Sequence, residues 1–101
     1  MFSIAKLPVR TYEFEHPETG AVLHILPPKL ETLEIFNKVF SDPNATPDSL
    51  AGVTSVILAG NQEKEKVTKK QVMHWMDSDQ LAAFVSDFLG WLNGVKTADP
   101  N

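Results

Sequence analysis

The sequence predicts a single small α+β domain in which an N-terminal β-hairpin is followed by three to four α-helices. Two features carry this prediction: alternating apolar and acidic residues near the N-terminus, and helical spacing of apolar residues over the rest of the chain. The chain has 101 residues, 43% of them hydrophobic and 22% charged, which is close to an ordinary globular composition. We expect one domain over residues 1–95 and a flexible tail over residues 96–101.

Two runs of residues near the N-terminus predict the hairpin. Thr11–Glu15 alternates apolar and acidic residues, which places Tyr12 and Phe14 on one face of a strand. The turn residues of His16–Gly20 follow, and the aliphatic run Ala21–Leu26 then ends at two prolines. Because an isolated hairpin is only marginally stable, we expect it to pack against the helices.

Two helices are predicted in the middle of the chain. The first carries residues at helical spacing, and Asp42-Pro43-Asn44 ends it. Its stripe is Leu30, Leu33, Phe36, Asn37 and Phe40, widened by Ile35 and Val39. Thr46 can cap the second helix, Pro47 fits its first position, and Gly60 closes it. The β-branched residues of Val53–Leu58 leave a strand as an alternative there.

Capping motifs predict two more helices in the C-terminal third. Thr68 stands three residues before Gln71, as in a capping box, and starts a short helix that runs to Met76. Asp77–Gln80 repeats the pattern and starts a last helix that ends at Gly94. The main face of this last helix consists of Leu81, Phe84, Val85, Phe88, Leu89 and Leu92.

Composition excludes several function classes. The formal net charge of −4 argues against a non-specific nucleic-acid binder. The one dense basic segment, Lys64–Lys70, is interrupted by Glu65 and is typical of a solvated loop. The absence of cysteine excludes disulfides and thiolate chemistry. The N-terminus does not resemble a signal peptide and no apolar run is long enough to span a bilayer, so we expect a cytoplasmic protein.

The residues that catalysis needs are sparse. The five glycines are scattered, so no phosphate-binding loop is present, and the serines stand in caps and turns. We therefore predict no enzyme, no catalytic residue and no cofactor. One alternative is a metal site in which His16 and His24 meet across the hairpin with Glu13 or Glu15. Because spacing alone does not impose that geometry, ordinary strand histidines are the favoured interpretation.

An aromatic-rich set in the last two helices is the candidate partner-binding surface: Trp75, Met76, Phe84, Phe88 and Trp91. Its apolar arc is wide for a small domain, which is typical of a helix that serves both a core and a partner. Core packing is the alternative for most of these residues. Trp75 and Trp91 are the favoured interface residues, because Trp is enriched in binding hot spots.

The order of segments resembles the tail assembly chaperones of long-tailed bacteriophages. The resemblance rests on the acidic strand Thr11–Glu15, the turn at Thr19-Gly20, the step Leu26-Pro27-Pro28, the link to Trp75–Leu81, and the apolar end Phe88–Leu92. It implies a small, acidic, non-enzymatic protein of the bacterial host cytoplasm that binds the long helical tape measure protein before the tail tube polymerises. It also implies absence from the finished virion and, in many members, a longer form made by frameshifting.

Several alternatives stay open at this point. The tail tube protein is a second candidate partner, and a homo-oligomer is a further one. Another phage component, such as a tail-completion protein, would form rings that persist in the virion. A small adaptor directed at a host protein is the remaining binding hypothesis. Helix-in-groove recognition is the expected mechanism for the chaperone.

Overall fold

A computed structural model of the chain describes residues 1–97, and of these the side chains through residue 94. It contains a hairpin of two strands followed by four helices, which confirms the predicted fold class. A 3-10 turn at Ile4–Lys6 precedes the elements β1 (Tyr12–Glu15), β2 (Val22–Ile25), α1 (Leu30–Ser41), α2 (Pro47–Ala59), α3 (Lys69–Trp75) and α4 (Ser78–Thr97). Of the predicted flexible tail, residues 98–101 lie outside the described part of the chain.

The hairpin has one buried and one exposed face, as the alternation predicts. The strands are antiparallel, with Tyr12 opposite Ile25 and Phe14 opposite Leu23. Leu23 and Ile25 are buried, and the two aromatic residues of β1 are half-buried against the same core. Because strand side chains alternate, the intervening residues of both strands lie on the other face, where Glu13 is exposed.

The other edge of β2 is covered by the loop that follows α2. The backbone N–H of Leu26 donates to the Gly60 carbonyl at 2.8 Å, and that of Gln62 donates to the His24 carbonyl at 2.9 Å. Asn61 is buried between them and holds the loop closed, since its side chain bonds to the backbone of Leu58 and Glu65. β2 therefore lies between β1 and this loop.

All three predicted helix starts are confirmed by their cap hydrogen bonds. Thr46 forms a capping box with Ser49, and Thr68 forms one with Gln71. At the start of α4, the Asp77 carboxylate accepts from the backbone N–H of Gln80 at 2.8 Å. The Gln80 side chain in turn accepts from the Asp77 N–H at 2.9 Å. Such reciprocal bonds satisfy N–H groups that a helix start leaves unpaired.

The helix predicted over Val53–Leu58 is confirmed and the strand alternative is wrong, because α2 lies at the centre of the fold and burial outweighs strand preferences of a few tenths of a kcal/mol per residue. Two other local expectations are wrong. The last helix does not end at Gly94 but continues to Thr97. Gly94 does not adopt the positive φ of a glycine C-cap, and glycine in a helix interior costs only about 1 kcal/mol.

Leu30, Ile35 and Asn37 also depart from the predicted stripe, since they are exposed while Phe36 is buried. Leu30 is the first residue of α1, and helical side chains lean towards the N-terminus. Its side chain therefore projects beyond the helix end rather than onto the core. The centre of the core is aromatic: Phe36 and Phe88 are the two largest fully buried side chains, with ring centroids 6.2 Å apart.

Replacing Phe88 with Ala should lower the free energy of unfolding by about 3–5 kcal/mol, because the lost ring leaves a cavity between α1, α4 and the hairpin. Met73→Ala, at an exposed position of α3, is the control and should change it by less than about 0.5 kcal/mol. Urea unfolding followed by circular dichroism measures both. Equal effects at the two positions would contradict the place of Phe88 in the core.

Candidate protein-binding groove

β1 is attached to α4 through aromatic side chains. The Tyr12 ring makes edge contacts with Phe84, Phe88 and Trp91 at centroid distances of 5.9, 5.3 and 5.6 Å. Phe14 meets Phe84 in the same manner at 5.9 Å. Edge-to-face pairs at these distances contribute about 0.5–1.5 kcal/mol each beyond the area they bury. Large rings thus set the separation between the strand and the helix.

The Tyr12 hydroxyl adds a polar contact to this attachment. It donates to a carboxylate oxygen of Asp87 at 2.7 Å. Burial raises the pKa of Tyr12 well above its ordinary value, and the hydrogen bond and negative charge of Asp87 raise it further. The hydroxyl therefore stays protonated and keeps donating at any physiological pH.

Arg10 fastens the chain before β1 to α4. Its two terminal guanidinium nitrogens donate to the backbone carbonyls of Trp91 and Leu92 at 2.9 and 2.8 Å. The guanidinium carbon also lies 4.2 Å from the centroid of the Trp91 ring, which is a cation–π contact. Trp91 is therefore already engaged by both Arg10 and Tyr12 within this domain.

Trp75 closes the other end of the same aromatic layer. Its ring lies 4.8 Å from the buried ring of His16 and 6.4 Å from Phe14. Its indole nitrogen is buried and, within residues 1–97, has no hydrogen-bond acceptor. A buried donor without an acceptor costs free energy, so the hydrogen bonding of Trp75 is incomplete within these residues.

An open groove runs between β1 and the two last helices, and we call it the hairpin groove. One part has a volume of about 500 Å³ and is lined by all four residues of β1 together with Pro17, Trp75, Met76, Gln80, Ala83, Phe84 and Asp87. A second part, of about 670 Å³, shares Tyr12, Ala83 and Asp87 with the first and extends to Ser86, Gly90 and Trp91. The shared residues make the two parts one continuous surface.

The hairpin groove is apolar at its floor and acidic at its rim. The half-buried side chains of Trp75 and Met76 contribute to the floor beside the rings of β1. Glu13, Glu15 and Asp87 are exposed and are among the residues that line the groove. The side chains of Glu13 and Glu15 lie on the other face of the hairpin, at the edge of the groove, where the Glu13 carboxylate is 3.9 Å from the His24 ring. An apolar centre with charged residues around it is the usual composition of a protein interface.

The predicted partner-binding set divides into two groups. Phe84 and Phe88 are buried, at 8% and 0% exposure, and belong to the core. This is a correction to their proposed surface role, because a buried ring in this fold is not available to a partner. Trp75, Met76 and Trp91 are half-buried and line the hairpin groove, so their role as partner-binding residues stays a prediction.

Sequence reasoning missed the contributions of β1 and of the small residues of α4. Tyr12 and Phe14 are expected only as residues that share one face of a strand, but they also line the groove. Ala83 and Asp87 carry no signal of their own, since alanine and aspartate are common on exposed helix faces. Their spacing of four residues, on one side of a helix, is the signal that could have pointed to them.

A second groove lies on the opposite side of α4. It has a volume of about 620 Å³, and we call it the α1–α4 groove. Its walls come from the end of α1, the start of α2 and one face of α4. They include Phe40, Leu50, Ala82, Val85 and Leu89. It carries fewer aromatic residues than the hairpin groove and no tryptophan.

The structure does not bring His16 and His24 together as a metal site requires. His16 is buried, and its Nδ1 accepts from the backbone N–H groups of Glu18 and Thr19. His24 lies on the exposed face, where its ring bonds to Glu63. Within residues 1–97, no three histidine, cysteine, aspartate or glutamate side chains are grouped so that they could hold a metal ion.

Comparison of the chain with models of known protein families, with curated protein sequences and with solved structures finds no match. Over residues 1–97, none of the helices is both long and apolar enough to cross a membrane. The hairpin groove is therefore the feature on which a functional proposal can be based.

The His24–Glu63 pair should make stability depend on pH. The hydrogen bond to Glu63 raises the pKa of His24 above its ordinary 6.5, so this contribution is complete below pH 6.5 and is lost as pH rises through the raised pKa. The backbone N–H of His24 lowers the pKa of Glu63 below 4.5, so that contribution is complete above pH 4.5 and is lost at lower pH. Stabilisation by the pair is greatest between these values.

We therefore expect His24→Gln to destabilise the domain more at pH 5.5 than at pH 9 or pH 3, with a small effect because both side chains stay about a third exposed. Thermal unfolding at the three pH values measures this difference. His74→Gln, which removes another exposed histidine, is the control. A destabilisation by His24→Gln that is constant across pH would contradict the ion pair.

Proposed function

We propose that this domain is a non-enzymatic tail assembly chaperone of long-tailed bacteriophages. In this proposal it acts in the host cytoplasm, where it binds apolar helical segments of the tape measure protein while the tail is assembled. The observation that carries the proposal is the hairpin groove, in which an apolar floor with two half-buried tryptophans is bordered by acidic residues. The order of segments along the chain supports the same reading.

The shape of the groove supports a helix as the bound element. It follows α4 from Gln80 to Trp91, a distance of about 16 Å at 1.5 Å per residue. This length accommodates three turns of a second helix laid beside α4. The apolar stripe of such a helix would contact Trp75, Met76 and the rings of β1, and the contact would shield that stripe from aggregation.

The charges around the groove restrict which helices fit. Glu13, Glu15 and Asp87 favour a segment that carries Lys or Arg beside its apolar stripe. The net charge of −4 on the whole chain acts in the same direction, because it attracts a basic segment over a longer range. The expected client is therefore an amphipathic helix with a basic border.

Two alanines of α4 allow a matched test of the groove. Ala83 lines the hairpin groove and Ala82 lines the α1–α4 groove, and both are exposed. Ala83→Arg should weaken binding of the tape measure protein at least about tenfold, which is about 1.4 kcal/mol, because the side chain fills the groove and repels a basic helix. Ala82→Arg should change the affinity less than about twofold, an effect below about 0.5 kcal/mol.

Binding would be measured by titration of the purified tape measure segments encoded in the same genome. Urea unfolding of both variants controls for stability. If Ala82→Arg loses binding and Ala83→Arg keeps it, the client binds in the α1–α4 groove instead. No binding by the unchanged protein would remove the chaperone proposal.

Mass spectrometry of purified virions separates the chaperone from the tail-completion alternative. A chaperone leaves the particle, so its peptides should be absent while those of the tail tube are abundant. Infected-cell lysate, in which peptides from the same protein should be readily detected, is the control. Stoichiometric amounts in the virion would instead support a structural component.

A further inference from the structure

The chain before β1 leaves its apolar residues in water. We call residues 1–9 the N-terminal segment. Its side chains Phe2, Ile4, Leu7 and Val9 are between 51% and 79% exposed, and its one 3-10 turn buries no residue. A contiguous set of exposed large apolar side chains on a small domain usually marks a contact surface. This segment is therefore unpartnered in the single copy.

The outer edge of β1 is unpartnered as well. His24 directs its N–H to Glu63 and its carbonyl to Gln62, so Leu23 and Ile25 are the β2 residues that bond to β1. By the same alternation, the N–H and carbonyl groups of Glu13 and Glu15 point away from β2. Within residues 1–97, the sheet has no strand on that side. Such an edge can accept another strand.

That free edge opens onto the hairpin groove. All four β1 residues line the groove, with Trp75, Met76 and Ala83 on the opposite wall. A third strand on β1 would therefore lie over the groove. Because strand side chains alternate, every second residue of the added strand would reach the apolar floor.

We propose that the N-terminal segment of one copy pairs as a third strand with the free edge of β1 in a second copy, and covers the hairpin groove there. In an extended conformation Phe2, Ile4 and Lys6 share one face, which would be turned to the groove and to Asp87, which lines it. Pro8 lacks an N–H and ends the pairing, so the added strand covers residues 2–7. The only structure that must unwind is the exposed turn at Ile4–Lys6.

Charge favours this segment over other parts of the chain. Residues 1–9 contain Lys6 and no acidic residue, whereas the edge and the groove carry Glu13, Glu15 and Asp87. Acidic side chains on an edge strand discourage pairing with acidic or neutral strands and favour a basic one. The attachment of Arg10 to α4 keeps the segment of each copy projecting from its own domain.

Pairing of this kind is reciprocal in a closed dimer, since each copy has one segment and one edge. In the proposed function the client helix binds the same hairpin groove, so client and N-terminal segment would compete for it. This competition is the one part of the inference that rests on the proposed function. The dimer would then be a form of the protein in which the apolar groove is covered until a client binds. The pairing itself requires no client.

Sedimentation velocity from 5 to 200 μM tests the pairing without a client. We expect a concentration-dependent dimer. Phe2→Ser with Ile4→Ser should weaken dimerisation at least tenfold, and so should Glu13→Lys with Glu15→Lys, which gives the edge of β1 the same sign of charge as the segment. Leu30→Ser, at another exposed leucine, is the matched control and should dimerise as the unchanged protein does. A protein that stays monomeric at 200 μM would overturn the inference.

Mixing the two defective variants identifies the contact. One keeps an intact edge and the other an intact segment, so a 1:1 mixture should regain one of the two contacts and form heterodimers. Equal dimerisation by the segment variant and the unchanged protein would show that another surface is used. If the protein dimerises but does not bind the tape measure protein, this inference stands and the proposed function is wrong. If it binds the tape measure protein but does not dimerise, the proposed function stands and this inference is wrong.

Discussion

The packing of Tyr12 against α4 is the interaction on which the rest of the structure depends. One ring contacts three aromatic rings of the helix, and its hydroxyl bonds to Asp87. This contact is the main link between the hairpin and the last helix, and it positions Phe88 over Phe36 of α1. Because aromatic rings are large, the same contact keeps the two backbones apart. The hairpin groove is the space that this separation leaves where the side chains are small.

Local chemistry explains which parts of the fold are predictable. The helix starts at Thr46, Thr68 and Asp77 depend on side chains within three residues, so capping patterns identify them. The choice of helix over strand at Val53–Leu58 depends on burial against other elements, which no local pattern reports. The continuation past Gly94 shows that a glycine ends a helix only where it adopts the C-cap conformation, which Gly94 does not.

The candidate site was only partly predictable, for a related reason. Composition points to Trp75, Met76 and Trp91, because large aromatic residues on a small domain exceed what the core needs. Composition does not separate Trp91 from Phe84 and Phe88, since all three lie on α4. The rotation of α4 about its axis decides which of these rings are buried, and one contact that fits this rotation is the hydrogen bond from Tyr12 to Asp87, 75 residues later in the chain.

The alternation of large and small residues on α4 links the core to the proposed function. Phe84 and Phe88 fill the space under the hairpin. Ala83 and Gly90 are small and leave the groove open beside them, and a side chain at Gly90 would meet open space. A groove made in this way cannot close by side-chain movement, because its walls are held by the packed rings. Its apolar floor is therefore a surface that a partner can cover. A client helix and the N-terminal segment of a second copy are two solutions to the same constraint, and the acidic rim favours basic segments in both.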